Sequence, residues 1–247
     1  DDLCAFTEGA EINNINLEGC APSELPPEPV PTGGKTFVEE GGLLVVEMES
    51  TNYTDGWKLE TGRGETGTGY LNMLGKQAAW VPANITEVIK VKIEIQTAGM
   101  YQFEWRSLIT KPGVPATEHN DSYLKIIADK FYGVKGSNIV CPLVLEDGNS
   151  CIPSGRALAG EKVGGYFKIW RTGSPIDAWK WSTWTSDADG HAIMAEFDTA
   201  GVYEVHIANR SDYHAIDRFV LYRTGNVSNN VARETALDIS TPESLSK

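Results

Sequence analysis

The sequence predicts an all-β protein, an antiparallel β-sandwich of the jelly-roll kind with an elaborated central insertion. Three observations predict it. Apolar and polar residues alternate with a period of two in segment after segment, which turns one set of side chains to a buried sheet face and the other to solvent. The phrase Thr97-Ala98-Gly99-Met100-Tyr101 is written again as Thr199-Ala200-Gly201-Val202-Tyr203. Each copy sets a tight turn before an alternating strand, and each strand closes on Arg-Ser (Arg106-Ser107, Arg210-Ser211). Finally, 25 glycines and 12 prolines in 247 residues supply the turns that many short strands require, while no stretch sustains a helical period.

In chain order, residues 1–21 are an acidic segment containing Cys4 and Cys20. Residues 22–36 are dense in proline, which stiffens a chain towards polyproline II, and read as a linker. The sandwich is expected over 37–224. Leu44, Val46 and Met48 alternate with Val45, Glu47 and Glu49. Val91, Ile93 and Ile95 oppose Lys90, Lys92 and Glu94. Tyr101, Phe103 and Trp105 continue the pattern, as do Tyr203, Val205 and Ile207 against Glu204 and His206. The less regular stretch 108–178 reads as the insertion, with short strands of its own at 123–127 and 165–170. Residues 225–247 are polar and read as a tail or second linker.

Composition narrows the partners. A hydrophobic content of 41%, with 7 Trp, 9 Tyr and 7 Phe, suffices for a packed core. A formal net charge of −13 argues against nucleic acid, anionic membranes and anionic polysaccharides, and leaves neutral sugars as the easier partner. No apolar run approaches the length of a transmembrane helix. The opening Asp1-Asp2, without a leader, suits a processed or excised segment. Neither Cys4 and Cys20 nor Cys141 and Cys151 has C-x-x-C spacing. They read as two local disulfides, Cys4–Cys20 and Cys141–Cys151, in a secreted protein, with free thiols as the alternative.

Four stretches together resemble carbohydrate-binding modules of the family 6 and family 35 type. Val45-Val46-Glu47-Met48-Glu49 resembles their opening strand with its paired acids, and Gly67-Thr68-Gly69-Tyr70-Leu71 the Gly-rich strand entry that follows. Thr97-Ala98-Gly99-x-Tyr101 resembles the mid-domain turn. Ala200-Gly201-x-Tyr203 through Arg210-Ser211 to Ile216-Asp217 resembles the closing strands. The resemblance implies a calcium-containing jelly roll appended to polysaccharide-degrading enzymes. The stretch 108–178 departs from it by making the domain larger.

Glu47 and Glu49 stand two apart, so a strand would hold them on one face with Cα atoms about 7 Å apart. A Ca²⁺ ion could take an oxygen from each, and the resemblance assigns the third carboxylate to Asp217 and a structural role to the ion. The alternative is a solvated acidic edge strand. In Trp179-Lys180-Trp181-Ser182-Thr183-Trp184, an extended chain would turn Trp179 and Trp181 to one side as a platform for a pyranose ring, with Trp184 nearby. Core packing is the competing reading. His119, Asn120, Asp121, Tyr213 and His214 supply the donors and acceptors that sugar hydroxyls need, and Trp57, Arg63 and Tyr70 could line a cleft as well. The triplet Asp187-Ala188-Asp189 lacks the glycine position and flanking helices of an EF-hand loop.

No nucleophile elbow, zinc motif or phosphate loop is present, so no catalytic residue is assigned. The expected protein is a secreted, non-catalytic module with one calcium ion, monomeric within a multidomain chain, that binds a neutral polysaccharide or oligosaccharide for an attached enzyme. A polysaccharide lyase or glycoside hydrolase on the same scaffold, with His119, His214, Tyr213 and Arg210 cast as lyase residues, is the rival. A structural or adhesion module that uses calcium only for rigidity is the third.

Overall fold

Alternation becomes two sheets. A computed structural model describes residues 34–78, 84–142, 165–185, 189–225 and 230–247. Its strands are β1 (Thr36–Val38), β2 (Leu43–Glu47), β3 (Trp57–Glu60), β4 (Tyr70–Met73), β5 (Val88–Ile95), β6 (Gly99–Ile109) and β7 (Asp121–Ile127). They continue with β8 (Lys130–Lys135), β9 (Asn138–Val140), β10 (Phe167–Trp170), β11 (Lys180–Trp181), β12 (Ala192–Phe197), β13 (Gly201–Ala208) and β14 (His214–Arg223), and one helix follows, α1 (Asn230–Leu237). The smaller sheet runs β1-β5-β13-β7-β10 and the larger β3-β4-β14-β6-β12-β8-β9. Strands β2 and β4 pair with successive parts of β14, as β12 and β11 do with β6. All pairings are antiparallel except that of β1 with β5.

The inward residues named by the alternation form the core. Leu44, Val46, Met48, Val91, Ile93, Ile95, Tyr101, Phe103, Trp105, Val205 and Ile207 belong to one buried cluster between the sheets. Trp57 joins them at 1% exposure, so it lines no cleft. The stretch expected as an insertion is built into both sheets. β7 lies between β13 and β10, and β8 pairs with β12.

Two expectations are corrected. The strand carrying the paired acids ends at Glu47, and Met48–Ser50 form a 3-10 turn, so Glu49 is not a strand neighbour of Glu47. The polar tail is not a tail. Ala236, with Ala232 and Leu237, covers Val45, Val220 and Tyr222 on the outer face of the larger sheet, and Arg233 of α1 pairs with Glu104 at 2.7 Å and 3.0 Å. Beyond the helix, the Ser244 N–H bonds the Val45 carbonyl at 2.9 Å, and Thr36 and Lys247 exchange backbone hydrogen bonds at 2.9 Å and 3.1 Å. A few small apolar residues at helical spacing, plus the unpaired edges of β1 and β2, account for the docking.

Cys141 is buried beside Tyr132 and Met194 and is not a free thiol. Cys4, Cys20 and Cys151, the segment 1–21 and most of the Pro-rich stretch lie outside the described residues.

Candidate functional site

The site is built on the outer face of the larger sheet, where β2, β14 and β6 run side by side. Cross-strand register sets Glu47 opposite Arg218 and Arg218 opposite Arg106. The pairing of β14 with β6 slips between Ile216 and Arg218. That bulge leaves Asp217 as an extra residue, so Asp217 and Arg218 reach the same charged cluster instead of opposite faces. Acid and base are interleaved across the sheet. Arg218 Nη2 pairs with Glu47 Oε1, and Arg106 Nη1 with Asp217 Oδ2. Thr66 joins the two halves, its hydroxyl lying 2.8 Å from Glu47 Oε2 and 3.0 Å from Asp217 Oδ2, while its N–H donates to Asp217.

Glu49 reaches the same place from the 3-10 turn. Its Oε1 accepts the Thr68 N–H at 2.6 Å, and Oε2 is buried without a hydrogen-bond partner. Burial pushes the Glu49 carboxyl above the usual range, against the Thr68 bond and with help from Glu47 and Asp217. Burial likewise raises Asp217 against the pull of Arg106. Gly67, with φ of 60°, closes over both glutamates. A Cβ there would strike Glu49 Oε1 and stand 3.2 Å from Glu47 Cδ, so only glycine fits. A cavity of about 520 Å³ opens above, walled by this loop on one side and by residues 239–243 on the other.

The three acids assigned to calcium therefore converge, but not as an open cage. Guanidinium groups already occupy Glu47 and Asp217. Among the described residues no group of three or more His, Cys, Asp or Glu side chains is arranged to hold a metal ion. Only Glu49 keeps an uncommitted oxygen. In this arrangement the residues do not fit a calcium ion.

Arg106 also links the cluster to the tryptophans. Its guanidinium carbon stands 5.0 Å from the centroid of the Trp179 ring, and Nη2 donates to the Gly64 carbonyl at 3.1 Å. Trp179 stands edge-on to Tyr70 at 5.1 Å, packs on Leu108 and Ala215, and donates its Nε1–H to the Arg63 carbonyl at 3.0 Å. The Tyr70 hydroxyl and Asn72 Nδ2 both donate to Glu60, at 2.9 Å and 3.0 Å. Burial, then Glu60, pushes the Tyr70 phenol up to about 12, which keeps it a neutral donor. Arg63 is exposed and Glu60 and Trp179 are half-buried, so the patch is open. Arg171, fully buried, shapes the loop that delivers Trp179 by donating to the carbonyls of Pro175, Ile176 and Ala178 at 3.2–3.4 Å.

The other expected ligand residues disperse. Trp181 packs with the cluster covered by α1, and Trp184, 36% exposed, bridges to Trp170 and belongs to neither patch. The three indoles make no common platform. Asn120 donates to the Arg171 carbonyl at 3.0 Å, and Asp121 is buried against Arg210 and Ser211. His214 has no exposed surface. Its Nδ1 lies 2.7 Å from the Ser122 hydroxyl, and burial, aided by Arg171 and Arg210, pushes its pKa down to about 3. These three hold the interior together rather than facing a ligand. His119 and Tyr213 do meet, edge to face at 5.4 Å, both in left-handed conformations, with Lys111 at 3.2 Å from His119 Nε2. Arg106, Arg171 and Arg218 escaped the sequence reading as site residues. The repeated Arg-Ser endings and the Asp217-Arg218 pair were the signals available for two of them.

No family model matches the chain, and no curated protein sequence matches it. Among solved structures it is similar to the Podospora anserina GH26-CBM35 β-(1,4)-mannanase, at 14% identity and TM-score 0.42, over 77% of this chain and 29% of that one. It is also similar to the CBM35 from Cellvibrio japonicus Abf62, at 13% identity and TM-score 0.40, over 74% and 98%. A family 6 carbohydrate-binding module from Clostridium cellulolyticum, in complex with xylose, aligns at 9% identity and TM-score 0.36, over 72% and 96%. Likeness this distant carries no argument about ligand or mechanism.

Proposed function

We propose that the protein is a non-catalytic carbohydrate-binding module whose saccharide site is the outer-face patch around Trp179. One observation carries the reading: an accessible indole, fixed edge-on to Tyr70 and tied through Nε1 to the Arg63 carbonyl, at the centre of a patch that also offers Glu60 and the Arg63 side chain. The C–H face of a pyranose stacks on such a ring, and a carboxylate and a guanidinium beside it suit vicinal hydroxyls. A platform held in place before binding loses little entropy when the sugar arrives.

The disposition of charge supports binding over catalysis. Hydrolysis needs two carboxylates about 5–10 Å apart and free to move protons. On this face Glu47, Asp217 and Glu104 are each committed to an arginine. The lyase alternative loses His214 and Arg210, which are buried. A net charge of −13 favours a neutral glycan. The same reading makes the module part of a larger secreted chain with disulfides Cys4–Cys20 and Cys141–Cys151. There, weak binding, in the range of about μM to mM, raises the local concentration of an attached glycan-degrading enzyme.

Affinity electrophoresis through gels containing neutral xylans, mannans and glucans tests the site. Trp179→Ala is expected to weaken retention at least about tenfold, and because the ring also covers Leu108 and Ala215, circular dichroism is needed to show that the variant is folded at the assay temperature. Unchanged retention in a folded variant removes the patch from the proposal. New reducing ends or unsaturated products after incubation with the same glycans would overturn the non-catalytic reading.

A further inference from the structure

We propose that Arg218 and Arg106 are the built-in counter-ions of the Glu47–Glu49–Asp217 cluster, so that the fold stands without a divalent cation and a cation can enter only once Arg218 is removed. The charges carry the argument. Three carboxylates crowded beneath one loop would repel one another if nothing neutralised them. The chain places two guanidiniums among them by strand register: Arg218 lies directly across from Glu47, and Arg106 across from Arg218, with Asp217 bulged between. Each guanidinium is also tied to surrounding groups. Arg218 Nε donates to the Thr66 hydroxyl at 2.9 Å and Nη1 to the Thr241 carbonyl at 3.0 Å, while Arg106 reaches the Gly64 carbonyl. Arg218, at 2% exposure, is tied to the 239–243 segment by its bond to Thr241.

A calcium ion needs six to eight oxygens, most of them from groups that here serve arginine. The cluster has a local charge of −1 with both arginines present and −2 without Arg218, and the cavity above it gives an ion a way in. Removing the guanidinium should therefore create the binding site that the native arrangement blocks. Arg106 touches the Trp179 ring, but the inference is tested at Arg218 with calcium alone, so its outcome does not depend on the saccharide proposal.

Thermal melts of the wild type and of Arg218→Met, each in chelator and in millimolar calcium, decide it. The wild type is expected to melt at the same temperature in both, and equilibrium dialysis against calcium should leave it without a bound ion. Arg218→Met is expected to melt lower than wild type in chelator and to regain about 5 °C or more with calcium, by mass action on the folded state. A wild type that loses stability in chelator, or retains one calcium ion per chain, overturns the counter-ion role. A folded variant indifferent to calcium overturns the latent site. Should Arg218→Met fail to fold, Arg218→Gln, which keeps an amide to bond Thr66, carries the same comparison, and the wild-type dialysis stands alone.

Discussion

The repeated phrase is used twice, to different ends. Tyr101 and Tyr203 make the same local bond, hydroxyl to the carbonyl four residues back, at 2.7 Å to Thr97 and 2.8 Å to Thr199. Both Arg-Ser endings reach for a buried aspartate far away in sequence, Arg106 for Asp217 and Arg210 for Asp121. From there the copies diverge. β6 runs through Arg106 to Ile109, so Arg106 sits within the sheet, on the outer face beside Trp179. β13 stops at Ala208, and Arg210 lies in the turn beyond, sealed among Asp121, Ser211 and the ring of Tyr123. Both guanidiniums are buried, and where the strand ends decides whether the arginine lies on the outer face of the sheet or in the turn beyond it.

The largest effect should come from the sealed copy. Arg210→Met leaves Asp121 buried with Lys168 at 3.8 Å as its remaining cation among the groups described, and breaking a buried pair costs about 3–5 kcal/mol. A fall in melting temperature of about 10 °C is expected by calorimetry, with no calcium response. A loss under 1 °C would erase the distinction between the copies.

The same interior should show in the pH dependence. His214 has its pKa near 3 when folded and at 6.5 when not, so between those values the unfolded chain binds the extra proton. Stability is then fully present above pH 6.5 and lost as the pH falls below it, by about 1.4 kcal/mol per unit. Urea titrations at pH 7.5 and pH 5 should show this slope in the wild type, beyond whatever slope remains in His214→Gln. Identical slopes would place the histidine in contact with water.

The finest comparison lies in the tyrosines. Tyr101→Phe, at a fully buried ring, leaves the part-buried Thr97 carbonyl without this partner and should cost about 1 kcal/mol, while Tyr203→Phe, at a half-exposed ring, should cost about half that or less. Equal losses would mean that burial does not separate the two turns.

Much of the sandwich was readable because alternation is a local property: the inward residues of β2, β5, β6 and β13 follow from period two alone. The meeting of Glu47 with Asp217 was readable too, given that the strands at either end pair, as β2 and β14 do. The arginines were not. Arg106–Asp217 and Arg210–Asp121 join residues separated by 111 and 89 positions, and no periodicity marks which acid an arginine will find. Nor does any glycine announce the bulge at Asp217, without which Asp217 would point away from Glu47 and Arg218. The dispersal of the three tryptophans follows from the short reach of β11, whose two residues leave Trp184 outside the pairing with β6.

The clasp between residues 36–47 and 243–247 governs how the chain comes together. Those contacts link segments about two hundred residues apart, as between Val45 and Ser244 at a separation of 199. Closing so long a loop is entropically slow, and contacts of this kind form late. During synthesis the edges of β1 and β2 must wait, open to wrong partners, until the segment that covers them has been made.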